Sequence, residues 1–199
     1  HWQELGDVLY PDASGTMFSG SAVVDVRNTA GLAQAGQDPP LVCFYTAAGG
    51  TSAQSQRQPF TQAMAYSLDG GQTLTKHGTV LPHEVGGNRD PKVIWYEPGQ
   101  KWIMALYLDK TDFALYDSTD LKNWKKLCNV SIPDCSECPE FFEIPVENQA
   151  AEKHWIFYGG NGRYLVGSFD GQTFTRQSGP HELNFGNCFY ASQTYNNLP

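Results

Sequence analysis

Three short clusters hold side chains that could do chemistry together: Phe18-Ser19-Gly20-Ser21, Arg89-Asp90-Pro91 and Glu137-Cys138-Pro139. Two of them bring a carboxylate, Asp90 and Glu137, and the second sets the guanidinium of Arg89 beside it. The first brings a ring, Phe18, and a hydroxyl, Ser19. Cleaving a glycosidic bond needs one carboxyl group to protonate the departing oxygen and a carboxylate to attack or stabilise an oxocarbenium-like centre. Charged hydrogen bonds fix sugar hydroxyls, and aromatic rings cover the apolar sugar faces. Glu137 in the acid role would need a protonated carboxyl, which burial beside Cys138 and Pro139 and closeness to Asp90 would favour. Each cluster alone has a plainer reading. Arg-Asp-Pro occurs as a surface ion pair before a turn. Glu137 would serve as a solvated carboxylate, and a ring beside a glycine is usually core.

The clusters make a site only if the fold brings them together. Helical periodicity is nearly absent, and short apolar runs recur between Gly, Pro, Asn and Asp clusters. The runs Gly20 to Asp25, Leu41 to Thr46, Lys92 to Glu97, Trp102 to Leu108, His154 to Tyr158 and Tyr164 to Phe169 read as strands. Ser67 to Leu74, Ser118 to Trp124 and Ser168 to Phe174 are variants of one turn followed by an apolar or aromatic residue, with serines 51 and 50 residues apart. A period near fifty built from short strands is the mark of propeller blades. In these turns Asp69, Asp120 and Asp170 cap the backbone, a structural role.

Each period then predicts one four-stranded antiparallel blade. The inner strands begin near Gly20, Asp90, Cys138 and Phe189, and the stretch Thr29 to Gln58 reads as loop. Trp2 falls where an earlier blade would place its outer aromatic residue. The expected architecture is all-β, a single propeller domain over residues 1–199 with about three blades and two partial ones, incomplete at both ends. Inner strands line a central funnel, so their first residues converge on the axis. Asp109 and Tyr190 are secondary candidates for reaching it.

Composition removes other classes. With 13 Lys+Arg against 21 Asp+Glu, the formal charge is −8, and no basic patch exists for phosphate backbones or an anionic membrane surface. The longest nearly uninterrupted apolar run, Trp102 to Leu108, is far below the roughly 20 residues of a spanning helix. Neither nucleic acid nor a membrane is an expected partner. Five cysteines are too scattered for a disulfide scaffold, though a Cys128 to Cys135 bridge stays open. Cys135-Ser-Glu-Cys138 has knuckle spacing but no second pair, and a strand rather than a redox helix follows it. The histidines show no ligand spacing, so no metal is expected. No targeting signal is visible in this segment.

In their order and content the three boxes resemble glycoside hydrolase family 32, the invertase, inulinase and levanase family. The likeness extends over nearly the whole chain, through Pro11-Asp12, Tyr164 to Phe174 and Phe189-Tyr-Ala191. It implies a five-bladed propeller acting on the β-fructosidic bonds of sucrose, inulin or levan, with no cofactor. It further implies Glu137 as general acid/base and Asp90 as the carboxylate that holds fructosyl hydroxyls and stabilises the transition state. Arg89 would be their cationic neighbour, with Phe18 and Ser19 lining the fructosyl pocket. A secreted or periplasmic location also follows from the resemblance. The family's nucleophile is an Asp in a Trp-Met-Asn-Asp-Pro-Asn-Gly box, which none of the 199 residues supply, and Asp12 does not replace it. The chain therefore reads as a segment of a longer retaining enzyme, inactive alone, and without the family's C-terminal β-sandwich. Two alternatives are a non-catalytic carbohydrate-binding propeller and a related five-bladed glycosidase acting on arabinosides or xylosides. The Glu-Cys and Phe-Ser-Gly-Ser boxes speak against the last.

Overall fold

The computed structural model describes residues 3–4 and 6–196; Trp2 lies outside them. Twelve strands form three four-stranded antiparallel sheets, each built from consecutive strands. The first sheet is β1 (Thr16–Val24), β2 (Leu41–Ala48), β3 (Thr61–Ser67) and β4 (Thr75–Leu81). The second is β5 (Arg89–Tyr96), β6 (Lys101–Asp109), β7 (Asp112–Ser118) and β8 (Lys125–Ser131). The third is β9 (Glu140–Val146), β10 (Gln149–Tyr158), β11 (Arg163–Phe169) and β12 (Phe174–Glu182). The three repeated turns join the third strand to the fourth in every sheet. In each, the aspartate accepts backbone N–H groups: Thr73 for Asp69, Lys122 and Asn123 for Asp120, Gln172 and Thr173 for Asp170.

The apolar run of β6 is uninterrupted because the middle sheet is covered on both faces. Alternate residues point opposite ways along a strand. Trp102, Met104 and Leu106 pack with Val42, Phe44 and Met64 of the first sheet. Ile103, Ala105 and Tyr107 pack with Phe141, Trp155 and Phe157 of the third. Phe141 and Trp155 stack with ring centroids 4.5 Å apart. Each such buried side chain contributes about 1.5–3 kcal/mol relative to exposure. The first strands β1, β5 and β9 lie side by side, as inner strands of successive blades do; β1 and β5 carry the first two boxes, and the third lies immediately before β9.

Two expectations need correction. The stretch Thr29 to Gln58 is not all loop: the run Leu41 to Thr46 inside it, which reads as a strand on its own, forms β2 and pairs along the length of both β1 and β3. Only 25–40 and 49–60 are irregular, the former wrapped around the Asp25 carboxylate, which accepts the N–H groups of Thr29 and Ala30. The segment from Phe189 is not a strand: 183–196 has no regular structure among the described residues. It returns to the first strands, where Gln193 donates to the Gly20 carbonyl and Asn196 to those of Ala22 and Val93.

Candidate active site

The two N-terminal boxes occupy equivalent bulges. Pairing between β1 and β2 slips by one residue between Met17 and Gly20, and pairing between β5 and β6 slips by one between Arg89 and Lys92. A bulge leaves one residue out of the ladder and re-aims its side chain. Phe18 and Ser19 sit in the first, Asp90 and Pro91 in the second. Gly20 is required there: a Cβ would lie 1.8 Å from the Phe44 carbonyl oxygen of the neighbouring strand. Asp90 has φ of 63°, and just before β9 Glu137 and Cys138 have φ of 61° and 42°. Non-glycine residues held in this region cost about 1–3 kcal/mol each and persist only where the surroundings over-determine them.

The surroundings of both carboxylates do so. The Asp90 N–H donates to Thr46 Oγ1 at 2.9 Å, the Thr46 hydroxyl donates to Gln62 Oε1 at 2.8 Å, and Gln62 Nε2 donates to the Asn88 carbonyl at 3.1 Å. All four residues are buried. On the Glu137 side, the Gly160 N–H donates to the carbonyls of Glu137 (2.9 Å) and Ser136 (3.1 Å).

Asp90 and Glu137, from different sheets, meet through two intermediaries. Asp90 Oδ2 accepts the backbone N–H of Cys138 at 2.9 Å, and the Cys138 thiol points at the same oxygen at 3.5 Å. Arg89 pairs through Nη2 with Glu137 Oε1, places Nε 3.9 Å from Asp90 Oδ2, and lies over the Tyr107 ring with its guanidinium carbon 4.7 Å from the centroid. Arg89 Nη1 donates to the Gly87 carbonyl at 2.6 Å. Burial raises the Asp90 carboxyl above its ordinary value; the Cys138 bonds and the Arg89 charge oppose this, and the Glu137 charge adds to it. Burial and the Asp90 charge push the Cys138 thiol up to about 12.

Glu137 is less enclosed than its neighbours in sequence imply. Its side chain is 30% exposed against 8% for Asp90. Phe18, 43% exposed, meets the Phe60 ring edge-on at 5.6 Å, and Ser19 is exposed. Among the described residues, neither shares a hydrogen bond or ring contact with the carboxylate cluster. Their strand is fastened to β5 by Ser21, whose hydroxyl donates to the Pro91 carbonyl and accepts the Val93 N–H. Asp109 packs beside Gly86 in the loop before β5, whereas Tyr190 lies against Gly160 of the Glu137 loop. Thr46, Gln62, Asn88 and Tyr107 escape sequence reading, because nothing local to them indicates that they support Asp90 and Arg89. The five cysteines are free thiols, and among the described residues no three His, Cys, Asp or Glu side chains gather as a metal site would require.

Residues 1–199 match the Glycosyl hydrolases family 32 N-terminal domain. The chain belongs to this family. It is 37% identical to a levanase of Bacillus subtilis, across 100% of this chain and 31% of that protein. It is 36% identical to an extracellular exo-inulinase of Meyerozyma guilliermondii, across 100% of this chain and 41% of the relative. Invertase 1 of Saccharomyces cerevisiae shares 34% identity across 99% of this chain and 40% of its own length. The chain thus spans less than half the length of these curated relatives. Among solved structures, exo-inulinase from Aspergillus awamori superposes with a TM-score of 0.78 at 31% identity, covering 92% of this chain and 43% of that one. The fructofuranosidase of Schwanniomyces occidentalis, solved in complex with fructose, superposes at 0.80 with 32% identity, covering 92% and 38%.

Proposed function

We propose that this chain is the major part of the catalytic propeller of a retaining β-fructofuranosidase acting on sucrose, inulin or levan, in a five-bladed ring that residues outside these 199 complete. The observation that supports this best is the joining of Asp90 and Glu137, carried by different sheets, through Arg89 and Cys138. Retaining glycoside cleavage requires an acid/base and a nucleophile; Glu137 fits the first role, the second falls to an aspartate outside these residues, and Asp90 is a third carboxylate that grips the sugar. Glu137, the more open, is the acid/base. Asp90, buried and anchored, holds fructosyl hydroxyls and stabilises the transition state, and Arg89 stands between them. Phe18 and Ser19 line the sugar pocket from the neighbouring strand.

In the first step an aspartate outside this chain attacks the anomeric carbon. The bond to the leaving oxygen breaks, and that oxygen takes the Glu137 proton. In the second, Glu137 takes a proton from water, the water oxygen bonds to the anomeric carbon, and the ester bond breaks to return the aspartate. A sugar hydroxyl seated at Asp90 competes for Arg89 and frees Glu137 to face the leaving oxygen.

The test is sucrose and fructan hydrolysis by the full-length protein carrying Glu137→Gln. A fall in turnover of about 10²–10⁴-fold with an unchanged circular dichroism spectrum is expected; unchanged hydrolysis overturns the assignment. The 199-residue chain alone is expected to release no fructose. The same assay separates this reading from a carbohydrate-binding propeller without catalysis. A coding sequence that starts without supplying the box would decide for it.

A further inference from the structure

Along the same first strands, past the carboxylate cluster, lies a charged group that the proposed chemistry leaves unused. Lys92 Nζ stands 3.0 Å from Glu140 Oε1, with side chains only 3% and 1% exposed. Lys92 also donates to the Thr194 carbonyl at 2.7 Å and to its hydroxyl at 3.0 Å, and that hydroxyl donates to Glu140 Oε2 at 2.5 Å. Lys92 is two residues beyond Asp90 on β5, and Glu140 is three beyond Glu137 at the start of β9.

A buried ion pair is weak evidence for stability, because two apolar side chains of similar volume pack there as well or better. Its placement points to a different use. The strands β5 and β9 belong to separate sheets and share no backbone ladder. The spacing of Asp90 from Glu137 therefore depends on side chains that cross between these strands. Two such links, Arg89 to Glu137 and Cys138 to Asp90, involve the reacting carboxylates themselves and must loosen when a sugar enters. The Lys92–Glu140–Thr194 group is built without either reacting carboxylate and need not loosen.

We propose that Lys92 and Glu140, closed by Thr194, are positioning residues that hold Asp90 and Glu137 at their working separation while the upper contacts yield to substrate. This rests on the fructosidase reading above. Removing the clamp lets β5 and β9 shift relative to one another, and a misplacement near 1 Å costs about 10²-fold in rate.

The experiment uses the full-length protein with sucrose. Lys92→Met and Glu140→Gln each leave one buried charge unpaired and are expected to lower both the melting temperature and kcat. The paired change Lys92→Met with Glu140→Met removes both charges. It is expected to recover the melting temperature while kcat stays about 10²-fold down and KM moves less than about threefold. Recovery of kcat together with the melting temperature means the pair is only structural and overturns the proposal. If the paired variant does not fold, Thr194→Val decides, since it keeps the ion pair and removes the hydroxyl that closes it. A kcat loss of about tenfold at unchanged KM is expected, and wild-type kcat overturns the clamp. A wild-type protein that hydrolyses no β-fructoside overturns the functional reading, and the clamp with it. An active wild type with unaffected variants overturns the clamp alone.

Discussion

Replacing Thr46 by Val tests whether the Asp90 conformation is imposed from behind. The two side chains have nearly the same volume, so the change removes a hydroxyl without opening a cavity. That hydroxyl accepts the Asp90 N–H and donates to Gln62 Oε1, and Thr46 and Gln62 are fully buried. Each orphaned buried group costs about 1–3 kcal/mol, and partial adjustment of Gln62 brings the expected total to about 2–4 kcal/mol. Asp90 at φ of 63° also stores strain, about 1–3 kcal/mol, which the lost hydrogen bond no longer opposes. The carboxylate should then leave its place beside Cys138, and kcat should fall along with stability. Thr46→Ser separates the causes: it keeps the hydroxyl and loses one buried methyl group, worth about 0.5–1.5 kcal/mol. Urea unfolding and sucrose turnover of the full-length protein give both readings. The expected stability order is wild type, then Ser, then Val, with kcat impaired only in Val. A Val variant as stable as Ser, or one that retains full kcat, refutes the reasoning.

The remaining predictions follow from local environments. Phe18→Ala removes a half-exposed ring, so unfolding free energy should change by less than about 1 kcal/mol, while KM for sucrose rises about tenfold from the loss of ring contact; an unmoved KM takes Phe18 out of the pocket. Burial raises the Asp120 carboxyl, but bonds from Asn123, Lys122 and Ser118 outweigh this and hold it at about 2, and backbone bonds likewise lower Asp170. A folded pKa below the unfolded one gives stability that is present above the unfolded value and lost as pH falls through the folded one. Stability should therefore decline from about pH 4 toward pH 2, and Asp120→Asn should flatten that decline in urea midpoints measured from about pH 2 to 5; an unchanged slope counts against the turn carboxylates. Cys188 is exposed, whereas burial and Asp90 raise the Cys138 thiol to about 12. Iodoacetamide at pH 8 should label Cys188 and spare Cys138 in the native protein by mass spectrometry, and equal labelling would show that Cys138 is not held against Asp90.

What could be read from the chain depended on whether the signal was local. The Ser-x-Asp turns are local, since a side-chain oxygen caps the next few N–H groups, and all three fall between the third and fourth strands of their sheets. The strand β6 announces itself because both its faces are covered. By contrast β4, β8 and β12 are outer strands whose side chains are for the most part exposed or half-buried, and residues such as Lys125-Lys126 and Arg176-Gln177 carry no apolar alternation. The alanines of β3 are buried without bulk, so they give no period. Phe189 to Ala191 resembles a strand opening but joins no sheet among the described residues and is tied instead to Gly160 through the Ala191 N–H, which only the packing of the sheets could show. The carboxylate pair was legible from residue type and order. The support through Thr46, Gln62 and Asn88 was not, because it comes from strands and loops distant in sequence.

The backbone at the boxes ties these levels together. Arg89-Asp90-Pro91 and Phe18-Ser19 both sit where a first strand carries one residue too many, and Glu137-Cys138 enters β9 through two consecutive residues at positive φ. A regular strand would alternate these side chains between the two faces of its sheet, into the packed layers between sheets. An extra residue or a left-handed residue breaks that alternation and turns the carboxylate toward the edge of the sheet, where the next blade's box can meet it. The strain is therefore located where the side chains of the boxes leave the pleat, and it is held by buried hydrogen bonds on the Asp90 side and by the Gly160 N–H on the Glu137 side. On this account the spacing of the boxes along the chain matters less than their common position at the mouth of successive first strands. Sequences that keep Arg-Asp-Pro but fill the preceding bulge with a regular pairing should place the carboxylate in the sheet and lose the site.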